Sequence, residues 1–152
     1  MGKNKAKKKR GPVAGAPVEL KKRPLSGAGP PEPDPASNLV FGLQRLDHEG
    51  PWSWTNVTGE QLRRIAEKCR GWESMRPNDV FASSGNKPVP NENLCKRAQD
   101  RLVAIELDDY DGLWELRVSG KERIWGLRER HIFYVLWWDP GHEVCPSNKR
   151  NT

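Results

Sequence analysis

Residues 1–40 contain no phenylalanine, tyrosine or tryptophan, yet hold seven of the chain's 13 prolines. Such a segment cannot bury enough apolar surface to offset its ordering entropy, which predicts a disordered Lys/Pro-rich tail over 1–37. Nowhere in the 152 residues does an apolar run approach the roughly 20 needed to cross a bilayer, which excludes a membrane-spanning helix. The N-terminal lysines lack the apolar stretch of a signal peptide behind them, and Ala6 stands where a myristoylation motif wants Ser or Thr. A cytoplasmic protein is therefore expected, and the Asn56-Val57-Thr58 glycosylation sequon should be idle. Cysteine is scarce too. Cys69, Cys95 and Cys145 are widely spaced without a C-x-x-C, and His142-x-x-Cys145 is the one pair at ligand spacing. A closed zinc site needs four donors, so no metal or other cofactor is expected and the thiols read as reduced and structural.

The net charge of +6 is unevenly placed. Residues 1–40 carry nine cationic side chains against Glu19, Glu32 and Asp34, which accounts for all of it. The other 112 residues balance at 17 of each sign. The cluster Lys7-Lys8-Lys9-Arg10 can bind phosphates or acidic surfaces by counterion release, or serve only as a solvated leader.

Residues 38–152 read as one domain. Leu39 to Leu46 is a strand by composition, and Asp47 to Asn56 a loop whose Trp52 and Trp54 should lid the core. Thr58-Gly59-Glu60-Gln61 is a capping box, after which Leu62, Ile65, Ala66 and Cys69 recur at helical spacing and Gly71 offers a stop. Pro77 opens a short helical turn over 76–81, and 82–91 reads as loop. A second helix from about Glu92 to Ile105 should bury Leu94, Ala98, Leu102 and Ile105, leaving Lys96, Arg97, Asp100 and Arg101 at the surface.

The C-terminal third carries the strongest pattern. Leu113 to Val118 alternates as a half-buried strand, Ser119-Gly120-Lys121 turns it, and Glu122 to Leu127 returns. After a turn at Glu129-Arg130, the nearly all-apolar run His131 to Trp138 should be the central strand, covered on both faces. Asp139-Pro140-Gly141-His142 is a turn, followed by a short strand Glu143-Val144-Cys145. Trp137 and Trp138 must face opposite sides of the sheet, and residues 38–57 are expected to cover the second side. The predicted class is α+β: two or three helices packed on a three- to five-stranded antiparallel sheet.

From about Leu94 to Cys145 the chain resembles the RelE/ParE-like toxin superfamily. The likeness rests on the strand Leu113 to Val118, a hairpin arginine at Arg123, and a hydrophobic strand followed by His142. It implies helices followed by an antiparallel sheet, action on RNA or the ribosome, and an antitoxin protein as partner. Many RelE-like members cut mRNA without metal, whereas many ParE-like members poison gyrase. The basic leader and the ending Trp137 to Ser147 are also similar to small bacterial proteins, often actinobacterial, with no assigned function.

Metal-free RNA cleavage needs a base for the 2′-OH, cations for the phosphorane charge and an acid for the leaving oxygen. Residues 117–131 supply Arg117, Lys121, Arg123, Arg128 and Arg130 against Glu122 and Glu129. The first reading is therefore a metal-independent mRNA endoribonuclease with Arg117, Arg123 and His142 at its site. Lys121, Arg128 and Arg130 would then contact phosphate together with Lys7, Lys8, Lys9 and Arg10. On its strand Arg117 shares a face with Glu115 and can pair with it. Equally, Glu and Arg alternating on neighbouring strands form cross-strand pairs, and His142 can simply complete a turn. The second reading is a non-enzymatic binding module whose basic tail contacts nucleic acid or an acidic partner.

Overall fold

A computed structural model describes residues 37–147, so the predicted tail up to residue 36, with Lys7, Lys8, Lys9 and Arg10, lies outside the described residues. The class is α+β, with three helices on one five-stranded sheet. In chain order the elements are β1 (Val40–Gly42), α1 (Gly59–Glu73), α2 (Pro77–Ala82), β2 (Lys87–Pro90), α3 (Lys96–Ala104), β3 (Gly112–Ser119), β4 (Glu122–Glu129) and β5 (Ile132–Asp139). The strand order is β1-β5-β4-β3-β2. Strands β2 to β5 pair antiparallel, and β1 joins the edge parallel to β5. The central strand is thus β4 and not the more apolar β5.

Helices cover both faces of the sheet. Leu94, Ala98 and Leu102, on and just before α3, pack with Leu113, Trp125, Leu127, Leu136 and Trp137 on one face. Ile65 and Trp72 from α1, with Val80 and Phe81 from α2, pack with Leu116, Ile124, Phe133 and Trp138 on the other. This two-sided cover explains why β3 is buried along its length apart from Arg117 and Ser119, where the alternation of its sequence predicted only half-burial.

A bulge sets the faces of β5. Trp125 pairs with Trp137 but Gly126 pairs with Val135, leaving Leu136 as the extra residue. Leu136 and Trp137 consequently enter the same core, and Trp138 crosses to the other. The Leu136 carbonyl accepts from the Asp47 N–H at 3.0 Å and the Trp54 Nε1–H at 3.1 Å. The segment before α1 therefore straddles the sheet edge: Trp52 packs on Trp137 and Trp54 on Trp138, at centroid distances of 5.3 and 6.0 Å.

Several local expectations change. The first strand stops at Gly42, because Leu43 turns away and stands exposed. The Thr58–Gln61 capping box forms, and α1 runs past Gly71 to Glu73. Its buried side is Ile65 and Trp72 with half-buried Cys69, and Leu62 and Ala66 are exposed. Within the predicted loop 82–91, Lys87–Pro90 pairs with β3, and its two prolines are tolerated because β2 is an edge strand. The helix expected from Glu92 begins as a 3-10 turn and becomes α-helical only at Lys96. Glu143 to Cys145 forms no strand, and packs instead as an irregular strap.

Candidate functional site

The hairpin β3–β4 carries most of the residues singled out for chemistry. Its register sets Arg117 opposite Arg123, so both project from the same sheet face, with Glu115 two residues back on that face. Glu115 is 1% exposed. Its Oε1 accepts from Arg123 Nε at 2.8 Å, so the carboxylate pairs with Arg123 and not with Arg117. The Arg123 guanidinium is further held because its Nη1 donates to the carbonyls of Gly120 and Glu122 at 2.7 and 3.1 Å.

His142 reaches the same carboxylate from the strap after β5. Its Nε2 lies 2.8 Å from Glu115 Oε1 without making an aligned hydrogen bond. The left-handed backbone of His142 (φ 56°) comes from the turn Asp139-Pro140-Gly141-His142. Asp139, fully buried, fixes that turn: it accepts the N–H groups of Glu143 and Val144 and the Trp125 Nε1–H, at 2.9, 3.0 and 3.1 Å. Lys87 on β2 completes the surround, with Nζ 3.7 Å from Glu115 Oε2.

Arg123 and His142 thus meet, one strand apart, on a carboxylate that was not among the candidates. Arg117 is exposed, and its stem lies along the turn at Gly85, where an added Cβ would come within 2.8 Å of the Arg117 Cδ. Lys121 is exposed at the β3–β4 turn. Arg128 faces the other side of the sheet, over the Phe81 ring at 4.4 Å and bonded to Asn78. Arg130 sits beyond the far end of β4, roughly 25–30 Å from Lys121 at the rise of an extended strand. The five hairpin cations therefore do not form one phosphate-binding surface. Two surface clefts, of about 250 and 270 Å³, lie beside Arg45, Asp47 and Ile105 and beside Arg64, Lys68 and Val118. Neither is lined by Arg117, Arg123 or His142.

A second polar knot was missed in the sequence. Asp47 accepts two hydrogen bonds from Arg101, at 2.7 and 2.6 Å, one from Trp137 Nε1 at 3.0 Å and one from the Glu49 N–H. Burial works to raise its carboxyl, but these donors outweigh it and hold the group below the ordinary value. Arg101, expected at the surface, is drawn inward by this pair. Glu122 is likewise held low, chiefly by its hydrogen bonds from Arg64 on α1. No group of three or more metal-ligating side chains suited to a metal ion occurs among the described residues.

No family model matches the chain, and no curated protein or solved structure is significantly similar to it. No helix among the described residues is long and apolar enough to cross a membrane.

Proposed function

We propose that this protein is a non-enzymatic nucleic-acid-binding module, in which the basic N-terminal segment supplies the phosphate contacts and the folded body presents it. The observation that carries this reading is the engagement of Arg123 and His142 by buried Glu115. A cation already bonded to a carboxylate and two carbonyls is poorly placed to stabilise a developing phosphorane charge. The charge distribution points the same way, since the whole +6 resides in residues 1–40. Exposed Arg117 and Lys121 add a small basic contribution from the body.

The test is fluorescence anisotropy of labelled single-stranded RNA against the full chain and a chain lacking residues 1–36, across a salt series. The reading expects the full chain to bind with an affinity that falls steeply with salt, and deletion to remove most of that binding. Undiminished binding after deletion overturns it. The convergence of Arg123 and His142 on one carboxylate also favours a second reading, the RelE-like ribonuclease. That reading expects growth arrest on induced expression, relieved by Arg123→Ala, and RNA cleavage by the purified protein; normal growth and translation at high expression would defeat it.

A further inference from the structure

Cys95 stands at the N-cap position of α3 without a side-chain capping bond, and Cys145 lies in the strap that follows β5. The Cys95 N–H donates to the Val144 carbonyl at 2.7 Å. Standard bond lengths from that carbonyl oxygen to the next Cα place the two cysteine Cα atoms within about 7 Å of each other. Disulfides span Cα separations of about 4.4–6.8 Å. Both side chains are half-buried and pack against the same apolar cluster on the α3 face, and both are free thiols. Neither residue belongs to the sheet ladder, so small backbone adjustments do not disturb strand pairing. Cys69 packs on the opposite face, with the sheet between it and the other two.

We infer that Cys95 and Cys145 form a reversible disulfide by exchange with a low-molecular-weight disulfide such as oxidised glutathione, stapling the C-terminal strap to α3. One cysteine thiolate attacks a sulfur of the small disulfide, forming a mixed disulfide and expelling one small thiolate. The second cysteine, as its thiolate, then attacks the protein sulfur of that adduct and expels the other. The two protein thiols lose two protons and two electrons, and the small disulfide is reduced to two thiols. Burial and then the Glu115 carboxylate push the Cys145 thiol up, which slows its attack on a disulfide at neutral pH. The bond pins the strap that carries His142 against Glu115 and Val144 into the core. Cys69 stands apart from this chemistry, since burial and then Glu73 push its thiol up to about 12.

The full chain is incubated with oxidised glutathione, alkylated, and examined by intact mass and non-reducing peptide mapping. The expected product has lost two hydrogens, keeps one of its three thiols, links Cys95 to Cys145, and reverts with excess reduced glutathione. Cys69→Ser should leave the link intact, whereas Cys95→Ser and Cys145→Ser should each stop at a glutathione adduct or remain unmodified. The oxidised wild-type chain should melt several degrees above the reduced chain. Three reactive thiols after oxidation, a persistent adduct in the wild type, a link through Cys69 or between chains, or an unchanged melting temperature would each overturn the inference.

Discussion

Asp47 gathers four donors from three directions, so it ties the loop before α1 to α3 and to the Trp137 indole. Asp47→Ala strands the Arg101 guanidinium and the Trp137 N–H, and should cost about 2–4 kcal/mol in urea denaturation. Because the folded-state carboxyl is held below its ordinary value near 3.8, its stabilisation is present above that value and lost as the pH falls through the lower folded one. Asp47→Asn should therefore flatten the loss of stability on acidification below about pH 4, measured by denaturation over a pH series. Glu115 makes a different case. Arg123→Ala leaves a buried carboxylate without its main partner and should cost about 3–5 kcal/mol, whereas Arg123→Met with Glu115→Leu should recover most of that loss. A double-mutant cycle by chemical denaturation checks this, and full stability in Arg123→Ala alone would refute the structural role assigned to the pair.

At the scale of elements, β4 owes its central place to what it lacks at Gly126. A Cβ there would sit 2.2 Å from the Tyr134 carbonyl and 2.7 Å from the Phe133 ring, beside the bulge that displaces Leu136. The carbonyl cannot yield without opening the β4–β5 ladder, and the Phe133 ring is fully buried. Gly126→Ala should therefore destabilise by about 3 kcal/mol or more, lowering the melting temperature by well over ten degrees. On α1 the contrast runs between Leu62 and Trp72. Leu62 is 56% exposed, so Leu62→Ala should be nearly neutral, while Trp72→Ala, in the core beside Phe41, should cost about 3–5 kcal/mol. Thermal melts of the two variants side by side decide whether α1 is seated as described.

Over the whole molecule, a sheet covered on both faces leaves its apolar tryptophans dependent on the segment before α1. Removing residues 1–57 deletes β1, Asp47 and both covering indoles, and uncovers Trp137 and Trp138 at once. The fragment 58–152 should aggregate and bind a hydrophobic dye such as ANS, followed by light scattering and fluorescence. A soluble fragment with one cooperative melt would show instead that the unit of folding begins at α1.

Several elements are legible from local residue patterns alone. The Thr58–Gln61 capping box, the proline opening α2, the β3–β4–β5 meander and the opposed Trp137 and Trp138 all follow from residues within a few positions of one another. Arg123 and His142 were legible as candidates because their residue types stand out beside a hairpin and a turn. The remaining features arise from contacts between residues distant in sequence. Whether Glu115 bonds Arg123 or Arg117 depends on register and on the strap that brings His142 across. The Asp47–Arg101 pair joins residues 54 positions apart and has no local signature. A proline-bearing strand is stable only because it lies at an edge, and the helices divide between two faces because a nearly all-apolar strand such as β5 needs cover on both. Periodicity states how many faces a strand must bury, and only packing chooses what covers each.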